Sequence, residues 1–356
     1  MPLHTPVRIG VLGAGWFASR RHCPDIVAHH NAELTALCRR NREQLQQMAD
    51  AFSVEHIFTE YRAMLDSGLL DGVLVCSPHH LHYEHAKAAL ERGLHVLLEK
   101  PITLDPDQGR QLLALADEND LALVVAQNPP YWNHCHYLRD KIRQNALGEI
   151  EGVSINWMGN ARAVLGLEPL PEDMPGIVKP TLYRADSAQN GGGFLIDGGS
   201  HLICELLWCT GRKIVEVTAQ MDDADFDLRC ALTLGLDNGA YATLNQCADS
   251  RIRAKRQHSI YYGSAGTVAI HGFPFKVKME SGTVVEEFRE DELKDPPTPV
   301  GNFIHCALGE GKPQIDGETA VHVVEIIQSA AQAAREGRAV RIRTAVTTQG
   351  TIRATP

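Results

Sequence analysis

The first forty or so residues constrain the fold more than any other stretch. A short apolar run, Val7–Leu12, ends in Gly13-Ala14-Gly15-Trp16-Phe17-Ala18; Trp16–His29 then suits a helix, and Ala32–Cys38 is strand-like again. A strand, a G-x-G-x-x-A turn, a helix and a second strand in close succession form a βαβ unit. There Gly13 permits the tight turn and Gly15 lets the backbone approach a pyrophosphate at the helix N-terminus, with Trp16 and Phe17 beside the same anion. Taken alone, the string also fits a ligand-free glycine turn.

The alternation continues through a helix at Glu43–Ala51, a strand at Asp71–Cys76, a helix at Tyr83–Arg92, a strand at His95–Glu99, a helix at Pro106–Glu118 and a strand at Leu121–Gln127. Asp105 is a good N-cap for the last helix, and Pro106 fits its first position. Strands separated by single helices pair in parallel through right-handed crossovers, so residues 1–128 are expected to form an α/β Rossmann domain, a doubly wound parallel sheet. Asn128-Pro129-Pro130 breaks the rhythm. In residues 129–356 the segments Val153–Trp157, Ile214–Gln220, Cys230–Leu236, Ala240–Asn245, His258–Tyr262, Thr267–Ile270, Phe275–Met279 and Thr283–Phe288 read as strands, with turns such as Asp237-Asn238-Gly239 between them. They predict an α+β domain with a mainly antiparallel sheet, one face of which is a candidate interface. Helices are expected at Ser200–Trp208 and Thr319–Glu336, and Asn160–Lys179 reads as a long loop.

Charge excludes one class of function. With 34 basic against 44 acidic residues and a net charge of -10, the chain lacks the cation excess that neutralises phosphates, so no nucleic-acid partner is expected. No apolar stretch approaches the roughly 20 residues that cross a bilayer, and no signal-like N-terminus is seen, so no membrane partner is expected and a cytoplasmic location is. The nine cysteines, an odd number without a C-x-x-C pair, read as buried reduced thiols.

Several side chains carry chemistry. Where an acid that binds the ribose of NAD would end the second strand, Cys38 leads into Arg39-Arg40. A guanidinium there pairs with a 2′-phosphate, so NADP(H) is favoured, with NAD(H) the other option; two solvated arginines opening a helix is the other reading. Lys100, at a strand end, is aimed at the cofactor crevice. Asp197 and His201 are four apart, on one face if helical turns begin at Asp197, so the carboxylate could orient an imidazole that accepts or donates a proton; an N-cap and a packed histidine is the alternative. In Pro78-His79-His80-Leu81-His82-Tyr83-Glu84-His85 no zinc spacing is present, so no catalytic metal is expected. Ser77, Pro78 and His82 are candidate cofactor contacts there. Tyr131 and Trp132 could stack on a sugar face or pack at a hinge.

Together Gly13–Ala18, Pro78 with His82, Glu99-Lys100-Pro101, the D-x-G-x-H string Asp197–His201 and Asn302-Phe303 resemble the glucose-fructose oxidoreductase, inositol dehydrogenase and MocA family. The resemblance covers nearly the whole chain. It implies a Rossmann domain followed by a domain with a large open-faced sheet that binds substrate and forms a homodimer or homotetramer. It also implies that His201 is the acid/base, that Lys100 polarises the reacting oxygen, that Asp197 orients His201 or the substrate, and that Glu99 lies in the cofactor site. Tyr183 and Arg184 resemble positions bordering the sugar, with a structural loop arginine the other reading. Arg39 and Asn128–Tyr131 depart from the common family pattern, which affects cofactor choice and the substrate side. The implied function is NAD(P)-dependent hydride exchange at a secondary hydroxyl or ketone of a sugar, sugar derivative or cyclitol. A redox-assisted glycoside-cleaving enzyme with retained cofactor and a non-catalytic nucleotide-sensing regulator are the alternatives.

Overall fold

In the computed structural model, which describes residues 5–252 and 254–342, two sheets divide the chain. The first part runs β1 (Val7–Leu12), α1 (Cys23–Ala28), β2 (Ala32–Cys38), α2 (Arg42–Phe52), β3 (His56–Phe58), α3 (Tyr61–Leu65), β4 (Gly72–Val75), α4 (His82–Leu90), β5 (His95–Glu99), α5 (Pro106–Glu118) and β6 (Leu123–Ala126). These strands pair in parallel in the order β3-β2-β1-β4-β5-β6. The order reverses between β1 and β4, and the crevice beyond the strand ends at such a reversal is where ligands bind in doubly wound sheets. Helices cover both faces, and β4 and β6 accordingly bury every residue.

The second part contains α6 (Asn133–Arg143), β7 (Ile150–Met158), α7 (Ser187–Asn190), α8 (Ser200–Thr210), β8 (Ile214–Met221), β9 (Arg229–Leu236), β10 (Tyr241–Cys247), β11 (Arg256–Gly263), β12 (Thr267–Gly272), β13 (Lys276–Ser281), β14 (Val284–Arg289), α9 (Pro299–Ala307), α10 (Gly317–Glu336) and β15 (Val340–Arg341). Its nine strands follow the order β14-β13-β12-β11-β7-β10-β9-β8-β15, antiparallel except for the parallel pair β7 and β10. Along β9 and β10 side chains alternate between exposed and buried, because α8 and α10 pack on one face only.

Two features of this half escape the sequence pattern. Helix α6 is not expected from it, since histidine, cysteine and asparagine dominate its first turn; His134, Cys135 and Leu138 nevertheless bury that helix in the core. Helix α9 crosses back, placing Val300, Phe303 and Ile304 in the same core as Val7, Val11 and Leu97. All strands of the first sheet thus precede residue 128, but its packing is completed from beyond residue 298. Residues 160–179 contain neither helix nor strand, and all nine cysteines are free thiols, seven of them buried.

Candidate active site

The glycine turn is built by its neighbours. Gly13 has φ +84°, and a Cβ there would lie 2.6 Å from the backbone of Cys76 and Ser77, so conformation and space both demand glycine. Above Gly15 a Cβ would meet little beyond the Arg39 guanidinium, at 2.9 Å. Backbone can therefore approach a ligand there, and the turn fits a dinucleotide pyrophosphate. It opens into a cleft of about 1620 Å³ between the two halves, lined by Gly13, Gly15, Trp16, Phe17, Arg39 and Arg40 at one end and by Lys100, Trp132 and His201 at the other.

Arg39 does not project freely from the end of β2. Its guanidinium folds over the turn, donating to the Ala14 carbonyl at 3.2 Å and to the Gln44 side chain, while Arg40 is left to the cleft solvent. Trp16 is engaged by the long loop: its indole N–H donates to the Pro175 carbonyl at 2.6 Å, and the Ile177 amide donates to Ser19 Oγ at 3.3 Å. That loop straps the second half of the chain onto the helix after the turn. Phe17 lies edge-on to His22.

At the end of β5, Glu99 Oε1 is 2.7 Å from His22 Nε2, and its other oxygen accepts from the Lys100 amide. Glu99 thereby ties β5 to the helix after the glycine turn. Lys100 turns the other way, its Nζ donating to Asp197 Oδ1 at 2.9 Å and to the Asp197 carbonyl at 2.6 Å. The Arg184 Nε donates to the same carboxylate oxygen at 3.0 Å. Burial works to raise the Asp197 carboxyl, but the two cations overcome it and hold the group well below its ordinary range.

The expected Asp197–His201 pair does not form. Residues Leu195–Gly199 adopt a π-turn, whose i→i+5 bonding rotates the following residues out of the i, i+4 register on which the pairing depends. Asp197 serves Lys100 and Arg184 instead. The partner of His201 is Gln127, buried at the end of β6, whose Nε2 is 3.1 Å from His201 Nδ1. Burial, then the charge of Lys100, pushes the His201 imidazole down to about 3 against the pull of Asp197, so the ring is neutral at ordinary pH.

A second correction concerns His82. It is fully buried, with Nδ1 2.7 Å from the Pro101 carbonyl and Nε2 3.0 Å from that of Ser77, which leaves no ring nitrogen for a cofactor. It fastens the turn after β4 to the turn after β5. Ser77 Oγ meets His85 Nδ1 at 2.9 Å, and Pro78 opens the short turn His79–Leu81 above it. His79, overlooked in the histidine-rich string, is buried between Tyr183 and Asp197, with Nε2 3.9 Å from Asp197 Oδ1. Burial and then Lys100 keep its pKa well below normal.

Of the aromatic candidates, Trp132 lies 6.0 Å from the His201 ring and lines the cleft. Tyr131 donates to Asn302 Oδ1 at 3.1 Å, which ties the turn after β6 to α9. Lys100, Asp197, His201, Trp132, Tyr183 and Arg184 are thus gathered into one corner, facing the glycine turn across the cleft. Gln127, His79 and His22 match no motif; a polar residue ending a parallel strand is the one sequence signal for Gln127.

Comparison with known proteins bears on the fold and the family of the chain. A family model described as "Oxidoreductase family, NAD-binding Rossmann fold" matches residues 7–127, and its companion, the "GFO/IDH/MocA C-terminal domain", matches residues 135–269. D-glucoside 3-dehydrogenase of Escherichia coli is 30% identical over 212 residues, which cover 60% of this chain and 56% of that relative. An NADP(+) D-xylose 1-dehydrogenase of Haloarcula marismortui is 25% identical over 354 residues, covering 95% of this chain and 93% of the relative. In fold, a levoglucosan dehydrogenase in complex with NADH and L-sorbose superposes with a TM-score of 0.82 at 17% identity, over 96% of this chain and 100% of the other.

Proposed function

The chain belongs to the Gfo/Idh/MocA family of oxidoreductases, and from that premise we propose that it transfers hydride between a nicotinamide cofactor and a secondary hydroxyl or ketone of a sugar, sugar derivative or cyclitol. The observation that carries the reading is the convergence of Lys100 and His201 on one corner of a cleft whose opposite wall is the glycine turn. A bound nicotinamide supplies the hydride acceptor or donor at ring carbon C4. The protein supplies position and proton handling.

In this reading Lys100, anchored by Asp197, presents its ammonium to the reacting oxygen and favours negative charge there. Neutral His201 accepts the hydroxyl proton during oxidation and returns it during reduction. Asp197 holds Lys100 and Arg184 in place, and Tyr183, Arg184 and Trp132 border the sugar. Arg39 and Arg40, with no carboxylate between them and the end of β2, support NADP(H) as the preferred cofactor and NAD(H) as the second. The partly exposed outer face of the nine-stranded sheet, with Tyr241 and Tyr262 on it, supports homo-oligomer formation. Among the described residues no helix is long and apolar enough to cross a membrane; the free thiols fit a reducing compartment such as the cytoplasm.

The test is an assay of nicotinamide absorbance with each cofactor against a panel of sugars and cyclitols. Hydride transfer to or from at least one member, faster with NADP(H), is expected. Tight nicotinamide binding without any transfer across the panel would argue for a sensor instead.

A further inference from the structure

The cleft of an acidic chain contains cations that have no ion-pair partner among the described residues. Arg20 and Arg21 stand on the helical segment after the glycine turn, and Lys255 stands on the connection between β10 and β11, so the three enter the cleft from both halves of the molecule. Among the described residues none of them forms an ion pair or a side-chain hydrogen bond. Arg20 lies 4.6 Å from the Trp16 ring and Lys255 Nζ lies 5.8 Å from the Phe273 ring, so each is backed by an aromatic face that orders it without cancelling its charge.

Three acids of the same cleft are occupied elsewhere, while Asp25, four residues after Arg21, lies within reach of its charge. Glu99 is taken by His22, Asp197 by Lys100 and Arg184, and Glu84 by Tyr61 and Arg62. In a chain of net charge -10, four of the six residues 251–256 are basic, and of these Lys255 lines the cleft. Partial desolvation and then the charges of Arg20 and Arg21 lower the Lys255 pKa against a weaker pull from Asp197, as expected where like charges gather. Lys255 is also within electrostatic reach of His201 and Asp197, which puts it at the reacting end.

We propose that Arg20, Arg21 and Lys255 form a subsite for an anionic group on the substrate, so that the protein acts on a carbohydrate bearing a carboxylate or a phosphate. This rests on the hydride-transfer reading above for the identity of the cleft. An anion there relieves the mutual repulsion of the three cations and gains charge-assisted hydrogen bonds, while a neutral sugar leaves them unpaired.

The experiment is calorimetric titration of the cofactor-loaded protein with D-glucuronate, D-glucose 6-phosphate and D-glucose. At least one anionic sugar binds about tenfold or more tightly than glucose; which one does so separates the carboxylate from the phosphate. The advantage shrinks with added salt and is lost in Lys255→Gln and Arg21→Gln, while cofactor affinity is retained. The proposal is overturned if no anionic sugar outbinds glucose, if the advantage persists in both variants, or if the variants weaken the cofactor instead. Since binding is read without turnover, a failure of the hydride-transfer reading shows separately, as bound sugar with unchanged nicotinamide absorbance.

Discussion

Strands β4 and β6 bury every residue, whereas β9 and β10 alternate exposed and buried positions along their length. The first sheet has no free face, so its chemistry is displayed only at its strand ends, where Gly13, Ser77, Lys100 and Gln127 stand. The second sheet keeps one face open and contributes to the cleft mainly through its connections, including residues 160–182 and Lys255. A change on a strand face should therefore be costly in the first sheet and inexpensive on the open face of the second, with function concentrated at the ends of both.

The largest expected effect breaks this comparison directly. Val75→Asp buries a carboxylate at a fully enclosed position and should cost about 4 kcal/mol or more, a large part of a typical domain's stability. Tyr262→Asp, at a site 45% exposed on the open face, should leave far-UV dichroism intact while shifting sedimentation toward smaller species. If Tyr262→Asp unfolds the protein as readily as Val75→Asp, the second sheet depends on both faces after all.

Next come the strand ends. His201→Ala and Lys100→Ala should each lower turnover by about 10²-fold or more, with cofactor affinity retained, since neither belongs to the glycine turn. Fluorescence titration beside steady-state rates separates the two quantities. Near-normal turnover in His201→Ala would pass the proton role to Lys100 or to water.

Acidity tests the buried histidines on each side. Burial first of all lowers His85 to about 4 and His134 to about 3, and holds His79 well below normal. In the unfolded chain a histidine titrates near 6.5, so between that pH and the folded value only the unfolded state takes up protons. Stability is therefore complete above about pH 6.5 and lost as pH falls, by about 2 kcal/mol each for His85 and His134 at pH 5. Denaturant midpoints at pH 7 and pH 5 would reveal it; equal midpoints would mean that these rings protonate without unfolding.

Arg39→Asp should move cofactor preference from NADP toward NAD by about 1.5–3 kcal/mol, the range of a charged hydrogen bond. Because Arg39 already bonds to Ala14 and Gln44, an unchanged ratio of the two dissociation constants would assign it to bracing the turn, with cofactor choice left to Arg40. The smallest change concerns Gln127. Replacing it by Glu puts a carboxylate beside His201 Nδ1 and should raise the acid limb of the oxidation profile by about one pH unit. Gln127→Leu should lack that shift, which distinguishes an effect on the imidazole from mere packing.

What the sequence determined by itself is local and repetitive. The alternation of apolar runs with helix-compatible segments up to residue 127 specifies a parallel sheet, and the glycine turn after β1 specifies where an anion can approach. The order of Glu99-Lys100-Pro101 and Asp197–His201 marked the site. Each depends on periodicity or on neighbours a few residues apart. Contacts across long separations were decided only by the fold. Lys100 and Asp197 are 97 positions apart in the chain, and the carboxylate serves that lysine because one π-turn rotates it away from His201. His82 is consumed by two carbonyls, Gln127 meets His201, and Lys255 is brought near Arg20 and Arg21 by the same closure of the two halves. No spacing rule records such meetings, because they depend on how long loops close and on which polar groups find partners once water is excluded.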